Sequence, residues 1–343
     1  MSNNYLKLVP VLLAIIFASC KPEKEETVAT ENYKGVIVIN EGGFLKSNGS
    51  VGIYKPGSGE YFDAFAKANG RPLGDVVQSV TLINGKYYII VNNSNKIEVV
   101  NQSDFKSVTT IVLNQPRNIV KVSANKAYVS QLNTNDLSVI DLTTNEISAT
   151  IDMKSSTDQI VMMNNKVYVG KAYANMLYVI NPANDMVTDS IVVGSGAGTI
   201  VNAGTDKIAV FCLGVLDFNN GSIIENGKIA IINKDSNEVE RFIPLTGASY
   251  GGPMAYHAGN LYFSFGDEKL YSVSATTVAT PTVKISIIGG IYGLTIDDSD
   301  GSFYITDALD YTSAGKVFIY NQAGTLVKQF TAGVVPGRFV FNY

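Results

Sequence analysis

The sequence predicts an all-β chain folded as a seven-bladed β-propeller. Each blade is a four-stranded antiparallel sheet, and the C-terminal strand joins blade one to close the ring. Three observations predict this. The chain repeats with a period of about forty residues, its short strands are rich in β-branched residues and tyrosine, and its first repeat lacks one strand.

The period is read from two strands that recur in step. The second strand of the unit begins at Lys86, Lys126, Lys166, Lys207, Asn260 and Ser302, giving intervals of 40, 40, 41, 53 and 42 residues. The third strand begins at Val51, Ile97, Leu137, Leu177, Ile229, Leu270 and Val317, which makes seven copies. Solenoids of this period are helical, and no segment after residue 32 carries a convincing 3.6-residue apolar stripe.

The strand chemistry agrees. Runs such as Val36-Ile37-Val38-Ile39 are continuously apolar. Strands covered on both faces read this way, as they do where blades pack face to face. Hairpin signals separate first from second strands at Asn84-Gly85, Asn125-Lys126, Asn164-Asn165, Gly259-Asn260 and Asp300-Gly301. Closure follows from the ends of the repeat. Gly35-Val36-Ile37-Val38 reads as a second strand with no first strand before it, and Arg338-Phe339-Val340-Phe341-Asn342-Tyr343 reads as that missing first strand. Pairing the two removes the open edges of a linear array.

Residues 33–343 are therefore expected to form the propeller. Residues 1–19 read as a signal peptide: Lys7 is a short positive region, and Leu8 to Phe17 is too short an apolar run to span a membrane. Residues 20–32 are polar and charged, the composition of a disordered tether.

The net charge is −4, and removal of residues 1–19 takes away Lys7 alone, leaving −5. No basic block remains, which argues against nucleic acid as a partner. Cys212 sits in an apolar run and reads as a core residue, leaving no internal disulfide unless Cys20 is free. His257 is the single histidine and reads as structural, with no nucleophile beside it for a catalytic triad. Neither zinc nor calcium is supported. One histidine and one internal cysteine make a poor zinc set, and Asp297 to Gly301 reads as a turn. Gly194 to Gly198 reads as a crossing between blades, with no helix behind it to bind a phosphate.

One face is expected to carry function. The loops joining strands one to two are short. Those joining two to three are long and variable, and the longest accounts for much of the 53-residue interval. Residues at the start of each first strand should reach the mouth of the central channel on that face: Gln78, Arg117, Asp158 or Gln159, Gly198, Pro253, Tyr292 and Arg338. Other loop residues add Phe44, Asn93, Asn133, Lys171 and Tyr173, then Asp217, Phe218, Tyr250, Asp307 and Tyr311. The set mixes aromatic, amide and charged groups, which suits a large hydrogen-bonding ligand or a protein.

The repeated KVYV…LYVIN unit resembles the YncE-like propeller family. Ile39-Asn40-Glu41-Gly42, the segment Ala68 to Ser79 and Val91-Asn92-Asn93-Ser94-Asn95-Lys96 resemble its Bacteroidetes-type surface lipoproteins, over residues 33–343. Among these the BtuG lipoproteins capture cobalamin for a TonB-dependent transporter. The resemblance implies that Ala18-Ser19-Cys20 is a lipobox with Cys20 lipidated, and that the acidic run after it directs export to the outer surface of the outer membrane. It implies a non-enzymatic binding protein that requires no cofactor, takes a cobalamin-type corrinoid as its ligand and passes it to a transporter. Arg71, Arg117 and Arg338 would then meet amides or a phosphate, and Tyr173, Tyr250 and Tyr292 would lie against the ring. The alternatives are a protein- or glycan-binding propeller and a metal-dependent lactonase-like hydrolase drawing on Asp158, Asp217 and Asp307.

Overall fold

The second strand of every blade is buried from both sides. In Gly35–Asn40 all six residues are buried, and in Lys86–Val91 all but the first. Sequence alternation disappears here because each blade is covered by its two neighbours. Outer strands lie at the rim and face solvent: in Glu146–Asp152 and Met186–Val192 only one residue each is buried.

The structure is a computed structural model and describes residues 33–171, 174–287 and 289–343, together with Met1. Asn32–Tyr343 forms one compact unit. The segments expected to be a signal peptide and a tether, with Cys20, lie outside the described residues apart from Met1, and so does Tyr173.

Among the described residues seven four-stranded antiparallel sheets succeed one another in chain order. The innermost strands of blades two to seven are Val77–Ile83, Pro116–Lys121, Thr157–Met163, Ala197–Asn202, Met254–His257 and Gly293–Ile296. Blade one takes its innermost strand, Pro336–Asn342, from the C-terminal segment. It pairs with Gly35–Asn40 from Gly35 opposite Asn342 to Asn40 opposite Pro336, as the missing strand predicted.

Two local elements add to the expected pattern. A helix, Ala64–Asn69, follows the outer strand of blade one. Asp63 caps its first turn by accepting from the Ala66 N–H at 3.0 Å, and Gly70 ends it at φ 65°. At six residues it is too short for periodicity to reveal, although both caps are legible. A two-stranded hairpin, Val215–Leu216 with Ile223–Glu225, rises from the long connection of blade five.

Neighbouring blades are latched by a repeated tyrosine. The hydroxyls of Tyr88, Tyr128 and Tyr168 donate to Asn145, Asp185 and Asn237 in the three–four turn of the next blade. All three acceptors have positive φ, a backbone state that Asn and Asp tolerate. Lys126 adds an ion pair to Asp185 at 2.5 Å. Tyr128→Phe removes a bond to a charged acceptor, so a loss of about 1–2 kcal/mol is expected in urea unfolding. An unchanged midpoint would show that the latch carries no stability.

Cys212 is fully buried, with its thiol pushed up to about 12 by burial, as a core residue requires. His257 lies at the far end of its innermost strand, away from the channel mouth, with Nδ1 3.2 Å from Asp298 Oδ1. Asp297 to Gly301 is the expected turn: Asp297 accepts from the Ser299 and Gly301 N–H groups.

Candidate functional site

Five innermost strands are irregular at one place, the end nearest the channel mouth. Register slips occur between Val77 and Ser79, Pro116 and Ile119, Thr157 and Ile160, and Ala197 and Ile200, and opposite Gly337 in blade one. A bulge leaves its extra residues out of the ladder and re-aims their side chains. Gln78, Arg117, Asp158, Gln159, Thr199 and Arg338 lie in or beside these slips, and all line one cavity of about 980 Å³ at the mouth. Blades six and seven supply Pro253 and Tyr292 from just before their innermost strands.

The cavity floor is an ordered set of charges and amides. Arg117 grips Asp158 with two contacts, Nε to Oδ1 at 2.9 Å and NH2 to Oδ2 at 3.3 Å. Its third nitrogen donates to Gln78 Oε1. Arg338 donates to Asn118 Oδ1 at 2.8 Å, and Asn118 is itself held by donating to the Asp158 carbonyl at 3.1 Å. Beside Gly337, which precedes Arg338, the Tyr292 hydroxyl donates to Glu41 Oε2 at 2.9 Å.

Burial raises the Glu41 carboxyl above the usual carboxylate range, and Tyr292, Arg338 and Arg117 oppose that rise only in part. Burial and the facing Glu41 raise the Tyr292 phenol. Burial lowers Arg338 from the ordinary arginine value. It remains a cation, because no protein environment deprotonates a guanidinium.

Aromatic groups form the rim. Tyr292 and Tyr311 meet edge to face at 5.7 Å, and Tyr250 stacks on Phe218 at 5.2 Å. Phe218 stands on the blade-five hairpin, 87% exposed.

Of the residues expected to form the site, the cavity gathers Gln78, Arg117, Gln159, Tyr250, Tyr292, Asp307, Tyr311 and Arg338. Phe218 reaches it through Tyr250. Phe44 and Asn93 lie outside it, where Asp75 organises their loops by accepting from the Leu45 N–H at 2.9 Å and from Asn93 Nδ2. Asn133 also lies outside, bonded to Gln115.

Arg71 also lies outside the cavity. It packs over Phe65 and pairs with Glu98 at 2.7 Å in the outer half of blade two. The helix after blade one carries the chain to the rim there, so this arginine faces a neighbouring blade and not the channel.

Glu41 and Asn118 escaped sequence reading. Glu41 directly follows a second strand, where a signal existed in the segment Ile39 to Gly42. Asn118 is displayed by a bulge that no residue pattern marks.

The three carboxylates considered for metal-dependent chemistry have separate local partners. Asp158 is held by Arg117, Asp217 accepts from the Asn219 N–H and Asp307 accepts from the Leu309 N–H. Among the described residues no group of three or more His, Cys, Asp or Glu side chains is placed to hold a metal ion. The arrangement offers hydrogen bonds of both polarities, two guanidinium groups and aromatic faces to a bound molecule.

Residues 34–280 match the family described as a domain of unknown function, DUF5074. No curated protein matches the sequence. Among solved structures, a quinonprotein alcohol dehydrogenase-like protein from Bacteroides thetaiotaomicron is similar with a TM-score of 0.68 at 15% identity, over 91% of this chain and 79% of that one. A functionally unknown protein from Desulfotomaculum acetoxidans is similar with a TM-score of 0.68 at 10% identity, over 90% and 98%. Hydrazine synthase of Kuenenia stuttgartiensis is similar with a TM-score of 0.62 at 14% identity, over 78% and 92%. At these identities the likeness shows the propeller fold alone.

Proposed function

Starting from a chain that belongs to the DUF5074 family, whose description leaves its activity open, we propose a binding module that captures a cobalamin-type corrinoid at the channel mouth. The observation that carries the reading is the cavity of about 980 Å³, into which bulged strand starts aim amides and guanidinium groups beneath a tyrosine rim. A corrinoid is a broad ring with many neutral amides and a nucleotide tail. It needs flat contact from aromatic faces and numerous hydrogen bonds from a floor of mixed polarity. A rigid ring presenting these groups limits the ordering cost of capture. The resemblance to surface lipoproteins of the YncE-like and BtuG kind supports the same ligand. It also supports lipidation at Cys20, display on the outer membrane and hand-over to a TonB-dependent transporter.

The test is calorimetry with cyanocobalamin on the compact unit from Asn32 onward. Saturable heat at micromolar concentration is expected. Tyr292→Ala should weaken binding about 10-fold or more, the scale of one lost aromatic contact and one polar contact. Lys126→Ala, on the opposite face, should leave binding unchanged. Absence of both heat and a melting shift would reject the ligand.

A further inference from the structure

The proposed ligand site contains a cation whose protein partners do not use up its donors. Arg338 stands on the closing strand and lines the cavity at the channel mouth. Among the described residues its guanidinium makes one hydrogen bond, to Asn118 Oδ1, and has no carboxylate within salt-bridge distance. A guanidinium carries five N–H donors in a planar fork, so most of the fork has no protein acceptor among the described residues, and Arg338 lines the cavity. Its single partner is fixed in turn: Asn118 donates to the Asp158 carbonyl, and its own N–H donates to Ser130 Oγ at 3.1 Å. Arg338 is thus positioned by a neutral partner, with Asp158 and Glu41 near enough to act on its charge but neither in contact with it. The two floor acids have other partners, since Asp158 is taken by Arg117 and Glu41 accepts from Tyr292.

We propose that the floor of the cavity is an oxyanion subsite, in which Arg338 receives a phosphate or carboxylate group carried by the ligand. The shape of the fork supports this, since it matches two oxygens of one such group. The raised proton affinity of Glu41 also fits, because a carboxyl that protonates readily opposes a nearby anion less. This inference rests on the channel mouth being a ligand site, but not on the ligand being a corrinoid.

The experiment is modification of the protein's arginines by phenylglyoxal, mapped by mass spectrometry. It is run with inorganic phosphate, with succinate and with chloride at equal ionic strength. Arg71 serves as internal reference, being paired with Glu98 outside the cavity. Phosphate or succinate should slow modification of Arg338 roughly tenfold when present at about ten times its dissociation constant, and should leave Arg71 unchanged. The arm that protects identifies the oxyanion. Equal modification of Arg338 in all three solutions would overturn the subsite.

A second measurement uses Arg338→Gln with two corrinoids. Cyanocobalamin bears a nucleotide phosphate and dicyanocobinamide does not. If the subsite takes that phosphate, the variant loses about 10- to 100-fold in affinity for the first and little for the second. Equal losses for both would overturn that assignment. Protection of Arg338 with no corrinoid binding would leave the subsite standing and remove the corrinoid.

Discussion

Deleting Pro336–Tyr343 is expected to unfold the propeller outright. The deletion removes a strand paired along the whole of Gly35–Asn40, a segment with every residue buried. It also removes Phe339 and Phe341, which pack on Tyr304 of blade seven at 5.4 and 5.0 Å. Burying Phe339 is worth about 1.5–3 kcal/mol, the half-buried Phe341 adds less, and the ladder bonds add about 1 kcal/mol apiece. The loss is on the order of 10 kcal/mol, comparable with the whole stability of a folded domain. The exposed edge of Gly35–Asn40 is then free to pair with other chains. The truncated chain should be insoluble or melt without cooperativity. A cooperative melt within a few degrees of the parent would show that the closing strand is dispensable.

The second large effect is expected at Glu98. This carboxylate is fully buried in blade two, yet Ser107 Oγ donates to it at 2.5 Å, Arg71 at 2.7 Å and Lys96 at 3.1 Å. Burial alone would push its carboxyl up. The hydrogen bonds from Ser107, Arg71 and Lys96 outweigh burial and hold it below the usual range. Glu98→Ala leaves a void and strands two cations, at a cost of about 2–4 kcal/mol in denaturant unfolding at pH 7.

The pH dependence has a definite sign. A carboxyl with its folded pKa depressed contributes stability above the unfolded value of about 4.3 and loses it as pH falls through the folded value. The difference between parent and Glu98→Ala should therefore be largest at neutral pH and shrink in acid. A gap that stays constant down to acidic pH would contradict an ionised Glu98. Arg71→Ala should likewise cost stability while leaving ligand affinity unchanged.

Arg71 also shows where sequence reading falls short. The blade count, the closing strand and the strand starts at Gln78, Arg117, Gln159, Tyr292 and Arg338 were legible. They follow from a period and from strand direction, and direction alone sends every strand start to the same face. Loop residues carry no such constraint. Phe44, Asn93 and Asn133 are steered by local hydrogen bonds to Asp75 and Gln115, and Arg71 by a six-residue helix. Glu41 lines the cavity and Asn118 holds Arg338 from behind it because bulges and closure bring distant strands together, and no spacing along the chain encodes that encounter.

The claim that the channel mouth is the binding face is tested most directly by hydrogen exchange with and without cyanocobalamin. Ligand should slow exchange at the strand starts around Gln78, Arg117, Gln159, Tyr292 and Arg338. It should leave unchanged the one–two turns at Asn84-Gly85, Asn125-Lys126 and Asn164-Asn165 on the opposite face. Protection confined to those turns, or absent everywhere at a saturating ligand concentration, would contradict it.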